Sequence, residues 1–189
     1  WREGAGTYWS VYIARRDSGI SRVEDFVGKV VAFEEPFSTS GFALPAGTLI
    51  QRGFTLKEVP TPNTRVAPNE IGYFFSQDEE NTIALVLQRQ AAAGGVSNQD
   101  YDELPAELKE QIVAFEPTIS VPRQLVSVRP GLDPALVSKV RELLFGLDQT
   151  EEGQGVLKNF SKTKKIDPLP SDSEAALNDL RVLIKLVTK

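Results

Sequence analysis

Residues 8–97 alternate short β-branched or aromatic runs with helix-forming stretches, and this alternation limits the possible folds more than any other feature of the chain. Tyr8 to Arg15 reads as a strand closed by the turn-prone Asp17-Ser18-Gly19. A short helix at about residues 21–27 ends at Gly28. Lys29 to Phe33 is then a buried strand that enters the loop Glu34-Glu35-Pro36-Phe37-Ser38-Thr39-Ser40-Gly41. The helix beyond that loop runs to about Arg52, and Gly53 suits the left-handed residue that follows a helix. Further strands are expected at 55–59, 71–76 and 91–97. Between the last two, Asp78, Glu79 and Glu80 suit the first turn of a helix reaching about Gln90, either as solvated acids that complement its dipole or with one of them accepting hydrogen bonds from a ligand. Strands and helices in this order build βαβ units around a mainly parallel sheet.

Residues 98–110 read as helical turns, and 113–119 and 124–128 as extended, with Pro117 and Pro122 between them. After residue 132 the regime is helical. Asp133 caps a helix with Pro134 at its first position, and Leu136, Val137, Val140, Leu143 and Leu144 form its apolar stripe. A second helix begins near Thr150. A third runs from Ser171 through Leu177, Leu180, Leu183, Ile184 and Val187. Apolar helical stripes need a surface to cover, and the expectation is that this tail packs on sheet material preceding Trp1.

Composition removes several function classes. The formal charge is −5, so the chain lacks the basic balance of a nucleic-acid surface; the tight basic cluster Lys162-Thr163-Lys164-Lys165 reads as a solvated turn. There is no cysteine and no histidine, which excludes disulfides and thiolate metal sites and removes the commonest general base and metal ligand. No apolar run approaches the roughly 20 residues a membrane-spanning helix needs.

Chemistry concentrates in the loop before the second helix. A helix start presents unpaired N–H groups and the positive end of its dipole, and Ser38, Thr39 and Ser40 add three hydroxyls in one turn, with Gly41 leaving room for close approach. Loops at the carboxyl ends of strands are also where open α/β sheets bind ligands. Two readings fit the spacing: the hydroxyls cap the helix, or they cradle an oxyanion. Glu34 and Glu35 are adjacent on an extended segment and point apart, which argues against paired-carboxylate catalysis.

The run Y-W-S-V-Y-I-A-R-R-D-S-G-I, the stretch V-E-D-F-V-G-K-V-V-A-F-E-E-P-F-S-T-S-G-F-A-L-P, the segment G-V-S-N-Q-D-Y-D-E-L and the tail L-K-N-F-S-K-T-K-K-I-D-P-L-P resemble the phosphate/phosphite/phosphonate-binding components of ABC importers. The resemblance implies an α/β, type II periplasmic-binding fold: one mainly parallel-sheet lobe plus the helical C-terminal part of the other lobe. It places residues 1–15 at a crossing strand from the first lobe, 16–120 in the second α/β lobe, and 121–189 in the second crossing and the C-terminal helices of the first lobe, whose opening strands would precede Trp1. It assigns Tyr8, Ser38, Thr39, Ser40, Gly41, Ser76, Asp78, Asn98 and Asp100 to the ligand. Two departures stand out. Ser76-Gln77-Asp78 replaces a usual Ser-His, and Ala92 replaces a usual Asp, so the charge around the ligand differs from the family's pattern.

What the resemblance implies is an extracytoplasmic solute-binding component that passes a small oxyanion to ABC transporter membrane subunits, without a cofactor or metal and without enzymatic activity. Its place would be periplasmic or extracellular, with any lipid anchor upstream of Trp1. A ligand-sensing input domain of a signalling protein uses the same fold and is the alternative. An enzyme with Ser38 or Ser40 as nucleophile lacks a histidine to activate it, and Lys29 lies at the far end of the preceding strand.

Overall fold

The computed structural model describes residues 5–160 and 162–188. Residues 1–4, Ser161 of the tail motif and Lys189 lie outside the described residues. The chain divides into two compact units: residues 9–120 with 176–189, and residues 1–8 with 121–175.

The larger unit is a six-stranded sheet clothed on both faces. Its strands are β2 (Ser10–Arg15), β3 (Val30–Phe33), β4 (Thr55–Glu58), β5 (Glu70–Phe75), β6 (Ala93–Ser97) and β7 (Ile112–Phe115); β1 (Thr7–Tyr8) belongs to the other unit. They lie in the order β4-β5-β3-β6-β2-β7. Pairing is parallel from β4 through β5 and β3 to β6, and antiparallel on both sides of β2, so β2 alone runs the other way. The expectation of a mainly parallel sheet holds. The one reversal comes from the strand that enters the sheet from the preceding chain.

Alternation along the strands sorts two cores. Tyr12, Val31, Phe33 and Ile71 point to one face with Phe26, Phe42, Ala46 and Leu49. Ile13, Val30, Ala32, Phe74 and Val96 point to the other with Ile83 and Val86. The first face is covered by α1 (Leu44–Gln51) and the second by α2 (Glu79–Leu87). The region read as a helix at 21–27 is a 3-10 turn at Val23–Phe26, anchored by the fully buried Val23 and Phe26. Gly28 (φ 78°) and Gly53 (φ 92°) take the left-handed conformation that ends each segment. Residues 98–110 form two short helices, α3 (Asn98–Asp102) and α4 (Ala106–Lys109).

In the smaller unit β1 pairs with β8 (Val121–Pro122), and residues 124–128, expected to be extended, form no ladder. Its helices are α5 (Pro134–Gly146), capped by the Asp133 carboxylate on the Ala135 N–H, and α6 (Glu151–Asn159), capped by the Thr150 hydroxyl on the Gly153 N–H. α7 (Ser173–Val187) opens here, while its residues from 176 on belong to the larger unit. There Leu183 is buried and sits where a side chain at Gly47 of α1 would have to go.

Candidate functional site

Three loops leave the carboxyl ends of the parallel strands β3, β5 and β6 on one edge of the sheet, and hydrogen bonds tie them together. After β3, the chain enters α1 through a π-helical turn, Thr39–Ala43, in which the Ala43 N–H reaches back to the Ser38 carbonyl (2.9 Å). Such widened turns recur at functional sites. The turn leaves the N–H groups of Thr39 and Ser40 without an acceptor in the helix, as at any helix start. The Ser10 hydroxyl, at the start of β2, holds the Ser40 carbonyl at 2.7 Å.

Ser38 is the N-cap. Its Oγ accepts the Gly41 N–H at 2.8 Å, and its hydroxyl donates to Glu34 Oε2 at 2.5 Å. Ser38, Thr39 and Ser40 are half-buried, neither sealed in the core nor fully in water. Gly41 is required for a different reason from the expected one. A Cβ there would collide with Glu34 Cβ, Glu34 Oε2 and Ser38 Oγ, so the space beside it holds the Glu34 side chain.

The loop after β5 is fixed by the Gln77 N–H on the Glu34 carbonyl (2.8 Å). Gln77 adopts φ 82°, a conformation a side chain rarely tolerates and one that clusters at functional loops. Ser76 is buried, with its hydroxyl engaged by the Phe33 carbonyl (3.0 Å), the Asp78 carbonyl (3.0 Å) and Thr82 Oγ1 (2.6 Å). Asp78 caps α2 through the Asn81 N–H (2.6 Å) and is exposed.

Glu79 departs from its expected role as a solvated first-turn acid. Its carboxyl turns inward, where Oε1 accepts the Ser97 N–H at 3.0 Å, lies 3.5 Å from the Ser40 hydroxyl, and shares a side-chain hydrogen bond with Asp100. Burial first, then the hydrogen bond and charge of Asp100, push its pKa up to about 8. Glu34 is raised as well, by burial and by the charges of Glu35, Asp100 and Asp78, against the opposing hydrogen bond from Ser38. Asp100 follows β6, where its carboxylate accepts the Ser97 hydroxyl and its N–H donates back to Ser97 Oγ. The hydroxyl turn therefore faces a cluster of three carboxyls.

Asn98 stands beside this cluster with its side chain committed to the backbone: Oδ1 accepts the Trp9 N–H at 3.1 Å. It also lines an apolar groove of about 260 Å³ with Trp9, Val11, Tyr101 and Phe115. Tyr8 belongs to the smaller unit, where the half-buried ring carries the Arg123 guanidinium 4.4 Å above its centroid. Glu34 is not among the residues expected at the site, and of the three first-turn acids it is Glu79 that turns inward. The signal available was alternation: if Glu34 and Glu35 point apart, one of them must face the sheet's edge.

The sequence model of a family described as ABC transporter, phosphonate, periplasmic substrate-binding protein matches residues 1–173. The chain belongs to this family. The phosphonates-binding periplasmic protein of Escherichia coli K12 is 22% identical over 189 residues, which is 96% of this chain and 51% of that protein. The chain thus spans about half the length of this curated relative. XAC2383 of Xanthomonas citri, solved bound to ATP, superposes on the whole chain and on 70% of its own length with a TM-score of 0.94 at 27% identity. PhnD1 of Prochlorococcus marinus, solved with methylphosphonate, superposes with a TM-score of 0.61 at 16% identity, covering 95% of this chain and 68% of that one. The fold of the phosphonate-binding family is the type II periplasmic-binding fold, and the six-stranded sheet with one reversed strand is its form here.

Proposed function

We propose that the protein carrying this chain is the extracytoplasmic solute-binding component of an ABC importer, and that it captures a small phosphorus oxyanion of the phosphonate or phosphate type at the Ser38–Gly41 turn. The observation that carries the reading is the widened start of α1. Backbone N–H groups and the hydroxyls of Ser38, Thr39 and Ser40 gather there on the carboxyl edge of a parallel sheet, half-open to solvent. Family membership supports the transport role, and the phosphate ester bound by XAC2383 supports phosphorus oxygens as the recognised group. Asn98 and Asp100 are assigned to the walls of the site. Ser76 and Asp78 hold the β5 loop in place from behind it.

Glu34, Glu79 and Asp100 shape which oxyanions are admitted. Three carboxyls beside the turn repel a fully ionised dianion unless protons stand between them. The site thus favours ligands that meet the carboxyls with a hydrogen-bond donor. Delivery to membrane subunits follows closure of the two lobes, driven by contacts made only in the shut state.

Calorimetric titration of the full-length protein with methylphosphonate, phosphate, phosphite and sulfate tests the reading. A phosphorus oxyanion is expected to bind, and the Ser38→Ala/Thr39→Ala variant to lose about tenfold to a hundredfold in affinity, the scale of lost charge-assisted hydrogen bonds. Binding of an uncharged solute in place of all four anions, or full affinity in the double variant, overturns it.

A further inference from the structure

We infer that Glu34 is the proton acceptor of this site: seating the oxyanion at the Ser38–Gly41 turn requires a proton to add to the Glu34 carboxylate. The inference rests on the oxyanion reading above and goes beyond it by naming the residue that makes capture proton-linked.

The hydrogen-bond inventory of Ser38 carries the inference. A serine hydroxyl has one hydrogen to give and two lone pairs to receive. The Ser38 hydrogen goes to Glu34 Oε2 at 2.5 Å, and one lone pair takes the Gly41 N–H at 2.8 Å. In this arrangement the side chain at the centre of the cradle has no hydrogen left for a ligand oxygen, and it presents a lone pair that repels one. Glu34 is seated against the turn: its Cβ and Oε2 fill the space beside Gly41, and its backbone N–H is held by the Gly41 carbonyl at 3.1 Å.

Protonation resolves the conflict without moving a heavy atom. A proton from solvent binds Glu34 Oε2, and the new carboxylic O–H donates to the free lone pair of Ser38 Oγ. The Ser38 hydrogen is released to point at the anion. One O–H bond forms, no other covalent bond changes, and the charge of the bound anion is offset by the proton taken up.

Among the described residues, the charged groups acting most strongly on Glu34 favour the same direction. Glu35 adjoins it on its own loop, Asp78 caps α2, and Asp100 follows β6, all of them acids. Glu79, inward on α2, already shares a hydrogen with Asp100 and has Glu34 among the charges acting on it. Adding an anion to this set raises the proton affinity of Glu34 further. Burial, which disfavours the ionised form, acts in the same sense.

Calorimetry of the full-length protein with methylphosphonate and with inorganic phosphate, in buffers of different ionisation enthalpy from pH 6 to 9, reads the proton count directly. The wild-type protein is expected to take up about one proton per anion beyond the ligand's own titration, with affinity falling about tenfold per pH unit in the upper range. In Glu34→Gln the side-chain amide donates permanently to Ser38 Oγ. This variant is expected to bind with the extra uptake abolished and to exceed wild-type affinity at pH 9. Should Glu34→Gln fold poorly, Glu79→Gln takes its place: uptake at the wild-type count keeps the proton on Glu34, and loss of the uptake moves it to Glu79 and overturns the inference. Anion binding with no uptake beyond the ligand's own, or equal uptake in Glu34→Gln, overturns the inference while leaving the oxyanion reading intact. Absence of binding by either anion removes both.

Discussion

The Tyr12 hydroxyl, in the middle of β2, donates to the Pro45 carbonyl at 2.8 Å inside the core. The bond pins the first turn of α1, and with it the hydroxyl loop, to the one strand that runs against its neighbours. Burial holds the phenol well above its ordinary pKa, so it remains a donor across the accessible range. Tyr12→Phe keeps the ring's edge-on contact with Phe26 and removes only the hydrogen bond. The expected cost is about 0.5–1.5 kcal/mol, seen as a lower urea midpoint with an unchanged slope.

Gly41 and Glu34 occupy one another's space, which makes their substitutions interdependent. Gly41→Ala forces a Cβ against Glu34 and Ser38 and is expected to cost about 1–3 kcal/mol, the usual range for overpacking. Glu34→Gly removes both Glu34 atoms from that space, the Cβ and Oε2, whereas alanine would keep the nearer of them. The double variant is therefore expected to be more stable than the sum of the two single effects by about 0.5–3 kcal/mol. Strict additivity in a denaturation cycle would show that Gly41 is needed for something other than the Glu34 side chain.

Glu79 gives stability a pH dependence with a definite sign. Its folded pKa is raised from 4.5 to about 8, so its contribution is fully present below 4.5. As pH climbs, the unfolded chain ionises while the folded one holds its proton, and stability falls until the folded group has titrated as well. Denaturant midpoints are expected to decline from about pH 5 to about pH 8 and then level off in this respect, with Glu79→Gln flattening the decline. An equal slope in the variant would assign the dependence to other groups. Asp17 works at the opposite end. Its bonds to Arg15 and Arg89 hold its pKa down at about 2, so its contribution is lost only as pH falls through that range.

The parts of the fold legible in the sequence are those decided by neighbours along the chain. Gly28 and Gly53 end their segments with positive φ because only glycine takes that conformation freely, and Asp133 and Thr150 cap helices within reach of their own next residues. The hydroxyl turn was legible for the same reason. The inward turn of Glu79 was not, because its partners come from other parts of the chain: it is 18 residues from the Ser97 N–H it accepts and 39 from Ser40. A first-turn acid looks the same in sequence whether it faces water or a buried amide. Gln77 is a further case, since its left-handed backbone is imposed by a hydrogen bond to Glu34 and no local glycine announces it.

The apolar stripe of α5, expected to be covered, lies open in this chain: Leu136, Val140 and Leu143 are exposed, Leu143 at 64%. Val156 and Phe160 at and just beyond the end of α6 are exposed too. Clustered apolar side chains of this kind bind hydrophobic dyes and other chains. The 189-residue chain is expected to enhance the fluorescence of such a dye and to self-associate as concentration rises, and Leu143→Lys to reduce both. A monomer that ignores the dye would mean that other residues fold over the stripe in solution.

Leu183 of α7 tests whether the last helix is part of the larger unit's core. It is 3% exposed and fills the place opposite Gly47, while Val187, one turn on, packs against the cluster that includes Tyr12, Phe33 and Phe42. Gly47 has no Cβ because α1 and α7 approach too closely to admit one, so neither helix can shift inward to close a gap. Leu183→Ala is therefore expected to leave an unfilled cavity and cost about 2–5 kcal/mol, toward the upper end because the site cannot collapse. Gly47→Ala, which pushes at the same contact from the other side, should destabilise as well. In combination with Leu183→Ala the clash remains, because a methyl at Gly47 meets the Cβ, Cα and carbonyl oxygen of residue 183, which alanine keeps, so the double variant should recover none of the loss. A surface-like cost below about 0.5 kcal/mol for Leu183→Ala would detach α7 from the core.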